Sequence, residues 1–214
     1  RSQADVTFTL DQSEYTPKSY LFLVDASEAG DGDAREVLST ALNSYTGSMA
    51  RDLFADAPGS TARIISYGSE VEESETFTSY EEVLAASSIK VQPGKANESK
   101  ALDATKNAVE QARKDRPGQP VVVMWVPGSA FGQQESDFSQ SLAALSSCME
   151  AGDALMTFQV AHTPSDLLSQ YATAYTPTDG EQQKAAWANA SPHVLSVEMG
   201  EAADDAAHDH FNDV

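Results

Sequence analysis

Short apolar runs alternate along the chain with longer segments whose apolar positions recur every three to four residues. Ser19 to Val24 is an almost unbroken apolar run, the pattern of a strand covered on both faces. Ala34 to about Phe54 places Val37, Leu38, Ala41, Leu42 and Tyr45 on one helical face, with Asp33 as the expected N-cap. Pro58-Gly59 marks a turn. Ala62 to Tyr67 then reads as a strand, and Val71 to Phe77 as its partner across a short loop. Tyr80 to Ala86 reads as a short helix, and Lys100 to Arg113 as a longer one with Ala101, Leu102, Thr105, Ala108, Val109 and Ala112 in register. Val121 to Val126 has no polar position at all and predicts a second strand buried on both faces. A helix over Phe138 to Glu150 stopped by Gly152, a strand over Leu155 to Ala161, a helix over Ser165 to Tyr175 and a last strand over Val194 to Val197 complete the pattern.

This alternation predicts an α/β fold of three layers, a mostly parallel central sheet with helices on both faces. In such sheets ligands meet the loops at the carboxyl ends of the strands. Here those loops are Asp25 to Asp33, Pro93 to Ser99 and Val126 to Gln134. Residues 1–17 read as an extension with an edge strand at 5–10, residues 18–199 as the domain, and residues 200–214 as an acidic tail. Asp5 to Ser13 echoes Tyr20 to Ser27, but leaves no helix before the next buried strand, as a parallel crossover requires.

With 214 residues, 41% hydrophobic and 21% charged, the chain can build one sizeable core. A formal charge of -20, from 33 acidic and 13 basic residues, repels phosphate backbones and anionic lipid. Nucleic acid is therefore not an expected partner; another protein, with a basic surface, is. The longest apolar run, Val121 to Val126, is far too short to cross a bilayer, so no membrane insertion is expected. Cys148, the single cysteine, can form no internal disulfide and is expected to pack as a small apolar residue.

Leu21-Phe22-Leu23-Val24-Asp25-Ala26-Ser27 resembles the opening strand and metal loop of von Willebrand factor A domains. Ala62 to Ser69 is similar to that family's second strand, Gly94 to Leu102 to its Gly-x-Thr loop and following helix, and Val121 to Gly128 to the strand that ends in Thr-Asp-Gly. The resemblance covers roughly Lys18 to Met199 and implies an extracellular or cell-surface interaction module, not an enzyme. It also implies a Mg²⁺ site built from Asp-x-Ser-x-Ser, a Thr and an Asp. This chain keeps Asp25 and Ser27, but has Ala29, Ala96 and Pro127 at the other three places. The metal residues Asp25 and Ser27 are thus read as vestigial, and no cofactor is expected, neither Mg²⁺ nor Ca²⁺. Glu28, Asp31, Asp33, Asn97, Ser99 and Ser129 are the expected partner-binding residues.

Other chemistry fits less well. Gly30-Asp31-Gly32-Asp33 precedes a helix as a dinucleotide loop would, but two aspartates stand where a pyrophosphate belongs. Gly128-Ser129-Ala130-Phe131-Gly132 approaches a nucleophile elbow with the serine one place early. A hydrolase would need Ser129 or Ser27 paired with His162 or His193. His208-Asp209-His210 reads as a solvated tail rather than a metal site, and Asn97-Glu98-Ser99 matches a glycosylation triplet. The expected function is protein–protein interaction or assembly without a metal. The alternatives are a cation-dependent adhesion module using Asp25 and Ser27, and a hydrolase.

Overall fold

The computed structural model describes residues 16–43, 49–158, 166–171 and 173–175. Among the described residues six strands form one sheet: β1 (Ser19–Asp25), β2 (Thr61–Tyr67), β3 (Val71–Glu73), β4 (Val121–Val126), β5 (Ala154–Phe158) and β6 (Thr173–Tyr175). Their order is β3-β2-β1-β4-β5-β6. All pairings are parallel except β2 with β3, which is antiparallel. The three-layer expectation therefore holds, with one short antiparallel border.

Each strand's alternation of side chains divides the core in two. Tyr20, Phe22 and Val24 of β1 point to one face with Val122, Met124 and Val126 of β4. Helices α1 (Asp33–Asn43), α2 (Met49–Asp56) and α3 (Tyr80–Ala85) cover that face through Leu38, Leu42, Leu53 and Val83. Leu21 and Leu23 point to the other face with Val121, Val123 and Trp125. There α4 (Glu98–Asp115), α5 (Glu135–Ser147) and α6 (Asp166–Tyr171) supply Leu102, Val109, Phe138, Leu142 and Leu168. Each fully buried Val or Leu contributes about 1.5–3 kcal/mol relative to exposure, so these two layers carry most of the stabilisation.

Several expectations are corrected. Asp33 is not the N-cap of α1 but its first residue; the carbonyl of Gly32, at φ 85°, accepts from Glu36 N instead. The single helix expected to Phe54 is two helices, α1 and α2, with residues 44–48 between them outside the described residues. The helix expected over Ser165 to Tyr175 ends at Tyr171, and Thr173–Tyr175 pairs with β5 as a strand. In place of a strand to Phe77, β3 stops at Glu73 and only Phe77 returns, bridging to Ala62. α5 starts and ends three residues earlier than expected, and Cys148, half-buried, caps it. The edge strand at 5–10, the strand at 194–197, the acidic tail, His162, His193, His208 and His210 lie outside the described residues. Among the described residues no helix is long and apolar enough to cross a membrane.

The amino end of β4 is fastened by Asp153, whose carboxylate accepts from Val121 N at 2.8 Å and Glu150 N at 2.7 Å. It also pairs with Arg113 of α4 at 2.6 Å. This fixes where β4 enters the sheet and, through it, where the loop after β4 emerges.

Candidate functional site

The strand order reverses between β1 and β4. The chain leaves β1 towards α1 on one face and leaves β4 towards α5 on the other, the place in a parallel sheet where ligands ordinarily bind. Asp25 ends β1 at this point and is only 6% exposed. Its Oδ1 accepts from Ser27 N at 2.9 Å. Its Oδ2 lies against Gly128 so closely that a Cβ there would come within 2.5 Å. The absence of a side chain at Gly128 lets the loop after β4 lie directly against the Asp25 carboxylate.

The loop at Pro93 to Ser99 joins the same end. Gln92 bridges to Ser27, Ala29 N donates to Gly94 O at 3.1 Å, and Asn97 N donates to Gly68 O at 2.8 Å. Glu28 accepts from Gly94 N at 3.3 Å. Asn97 caps α4 by accepting from Lys100 N at 3.0 Å. The glycosylation triplet is therefore built into a helix start.

Side chains then tie the third loop to the other two. Ser129 donates to Asp31, which also accepts from Asp33 N at 3.1 Å. The Ser129 bond holds the Asp31 carboxyl below its usual range, whereas partial burial and the Asp31 charge push Asp33 up. Ser99 N and Oγ both donate to Gln133 Oε1, at 2.8 and 3.0 Å, and Ser99 Oγ also lies 2.8 Å from the Asp137 carbonyl. Gly132 presses onto Ala96, where a Cβ would lie 2.0 Å from the Ala96 carbonyl oxygen. The eight residues predicted as a site thus come to one end of the sheet. Asp25 and Ser27 lie buried in its floor, and Glu28, Asp31, Asp33 and Ser129 are exposed on its rim. An open cleft of about 370 Å³ beside the rim is bounded by Asp31, Arg35, Glu36, Ser88 and Ile89.

The floor holds residues that sequence reasoning passed over. Glu98, in the first turn of α4, is 0% exposed. Its Oε1 accepts from Gly132 N at 2.5 Å and Gln133 N at 3.3 Å, and its Oε2 has no hydrogen-bond partner. Burial, and to a lesser degree the charge of Asp25, push its carboxyl up to about 7 against the backbone N–H groups of Gln133, Gly132 and Glu98 itself. Tyr67 ends β2 and accepts from Trp125 Nε1 at 2.9 Å; burial, Asp25 and Glu98 raise its phenol well above the usual range. Phe131 of the third loop packs on Trp125 and Phe138, with ring centroids 6.3 and 5.0 Å apart.

No family model matches the sequence, and no curated protein does. Solved structures match the fold. The VWA domain of SpRpn10 aligns at 14% identity over 83% of this chain and 96% of its own, with a TM-score of 0.51. Proximal thread matrix protein 1 from the mussel byssus aligns at 14% identity and TM-score 0.57, over 75% of this chain and 43% of that one. This chain therefore spans less than half of the byssus protein's length. The fold is a von Willebrand factor A fold.

The VWA fold implies a cation at the Asp25 end, and the residues present do not fit one. Ala29, Ala96 and Pro127 offer no side-chain oxygen, and Ala96 is covered by Gly132. Mg²⁺ needs about six oxygens in near-octahedral order. Among the described residues no group of three or more His, Cys, Asp or Glu side chains could hold a metal. Alternative chemistries find no better footing on this VWA frame. The Asp31 carboxylate already occupies the α1 amino end where a pyrophosphate would sit. Ser129 is bound to an aspartate and lies well ahead of α5, which starts at Glu135, so the tight turn of a nucleophile elbow is missing.

Proposed function

We propose that this chain is a non-catalytic interaction or assembly module of VWA type, which binds another protein through the loop end of its sheet without a metal ion. One observation carries the reading. The three loops that would converge on a cation are instead tied to one another by Ser129–Asp31, Ser99–Gln133 and Glu98–Gly132. The binding surface is thereby organised in advance, which lowers the ordering cost of association. Its rim is acidic, with Glu28, Asp31, Asp33 and Glu36, and so suits a basic partner. An extracellular or cell-surface setting goes with this reading, as does the byssus matrix protein among the similar structures.

The test is capture of partners from the native source by the immobilised full chain, in chelator and in Mg²⁺. Binding should be equal in the two buffers, unchanged by Asp25→Ala, and weakened at least tenfold by Glu28→Lys with Asp33→Lys, a loss of about 1.4 kcal/mol or more. Binding that requires Mg²⁺ and disappears in Asp25→Ala would replace this reading with cation-dependent adhesion. Binding indifferent to the charge reversals would move the contact surface elsewhere.

A further inference from the structure

The cleft beside the rim opens between α1, with Arg35, Glu36 and Ser39, and the segment that follows α3, with Ser88 and Ile89. That segment belongs to no helix or strand until Gln92, which bridges in parallel to Ser27. Gln92 N donates to the Ala26 carbonyl at 2.7 Å, and its own carbonyl accepts from Glu28 N at 2.7 Å. The four residues before it make no such bonds. Among the described residues, no N–H or carbonyl of Ser88, Ile89, Lys90 or Val91 has a hydrogen-bond partner. Ser88, Lys90 and Val91 are exposed, while Ile89 is buried in the core and anchors the segment. Leu84 of α3 and Val91, 41% and 43% exposed, are the exposed large apolar side chains among the described residues. Unbonded main chain close to exposed apolar side chains is what an added strand covers.

We propose that the edge at residues 88–91 docks an extended basic peptide of another protein as an added strand, with one cationic side chain of that peptide in the cleft. The proposal rests on the interaction reading above and names the chemistry of the partner. Charge selects among extended peptides. Asp31, Asp33 and Glu36 stand here against Arg35 and Lys90, three acids to two bases, on a chain whose formal charge is -20. Asp31 is held in place by Ser129 and by Asp33 N at 3.1 Å. The Arg35 guanidinium lies over Gly32, where a Cβ would come within 3.1 Å of it. The cleft, of about 370 Å³, thus offers a lysine or arginine side chain a positioned carboxylate and room for its aliphatic stem against Ile89. Main-chain bonds to residues 88–91 supply the grip, and the cleft supplies the preference for a cation.

The probe is a pentapeptide of alternating valine and arginine, blocked at both ends and titrated into the full chain by NMR. Amide shifts should centre on residues 88–91 and on Glu36, and exchange at Lys90 and Val91 should slow on binding. The same peptide with its main-chain nitrogens methylated keeps its charge and loses its donors, and should bind about tenfold more weakly or less. A valine–glutamate peptide should not bind. Val91→Pro removes an N–H that has no partner within the protein, so the native hydrogen bonds stay and peptide binding should be lost. No shift at residues 88–91, equal binding of the methylated peptide, or shifts centred on β3 would each overturn the edge. So would exchange protection of residues 88–91 in the free chain, which would mean that another part of the chain already covers them. Should Val91→Pro not fold, the methylated peptide decides on the unmodified chain. Capture from the native source separates this proposal from the reading beneath it. Capture lost in Glu28→Lys with Asp33→Lys but kept in Val91→Pro overturns the edge alone. Capture that needs Mg²⁺ and Asp25 overturns the metal-free reading, whatever the peptide does.

Discussion

Trp125 is wholly buried, and its indole N–H has the Tyr67 hydroxyl as acceptor at 2.9 Å. Removing that oxygen strands a donor where water cannot reach it. Tyr67→Phe should therefore cost about 1–3 kcal/mol, read as a lower denaturant midpoint at unchanged slope. An unchanged midpoint would mean that the indole finds another acceptor. Gly132 is a second position with no freedom, because its place on Ala96 leaves a methyl group only 2.0 Å from backbone oxygen. Backbone cannot step aside as a flexible side chain can, so Gly132→Ala should destabilise by about 1–3 kcal/mol. The loss should be concentrated in the exchange protection of residues 127–134; uniform loss across the sheet would contradict the close contact. Neither Tyr67 nor Glu98 was legible as part of a site. An acid in the first turn of a helix ordinarily faces solvent and complements the helix dipole. Glu98 is instead buried, and its carboxylate accepts from Gly132 N, 34 residues further along.

The strands were the most legible elements. Val121 to Val126 has no polar position to give to water, and β4 is buried at all six positions between β1 and β5. Val123→Asp would bury a carboxylate with no partner, and should lower stability by about 4 kcal/mol or more or abolish folding, as read by thermal melting. A melting temperature within a degree of the parent would place that residue outside the core. The helices were less legible at their ends. Leu167, Leu168 and Tyr171 are spaced as on a helix, and the pattern gave no reason to stop there. Beyond α6, Thr173–Tyr175 pairs parallel with Met156–Phe158 of β5, a long-range partner that the local pattern does not reveal. The three loops were located correctly as strand-end loops, since that follows from α/β architecture. Their mutual ties were not, since Asp31–Ser129 and Ser99–Gln133 join residues 98 and 34 apart in the chain.

For the molecule as a whole, charge is the dominant surface property. The formal value of -20 is spread over a chain with 33 acids and 13 bases. Local pairs such as Arg63–Glu73 at 3.3 Å and Lys100–Glu70 at 2.7 Å use some of the bases, and the excess of acids stays unneutralised. Self-repulsion of that kind is screened by salt over a Debye length of about 10 Å at 0.1 M. Thermal stability should therefore rise between low and moderate ionic strength. A melting temperature flat across that range would mean that the acids lie too far apart to repel.

The antiparallel border of the sheet bears on how densely such molecules can be packed together. β3 is three residues long, Val71–Glu73, and two of the three are glutamates. Glu73 is engaged by Arg63, and Glu72 accepts from Gln92 Nε2 at 2.6 Å, so both carboxylates are held at the border rather than swept away by thermal motion. A second copy approaching edge-on would meet like charge before it found a free N–H, and would find room for barely one strand turn of pairing. Short, charged borders of this kind discourage runaway polymerisation into fibrils. Replacing both acids, Glu72→Val with Glu73→Val, should accordingly raise thioflavin-positive material in a concentrated solution above that of the parent chain, and an unchanged level would mean that this border does not govern association.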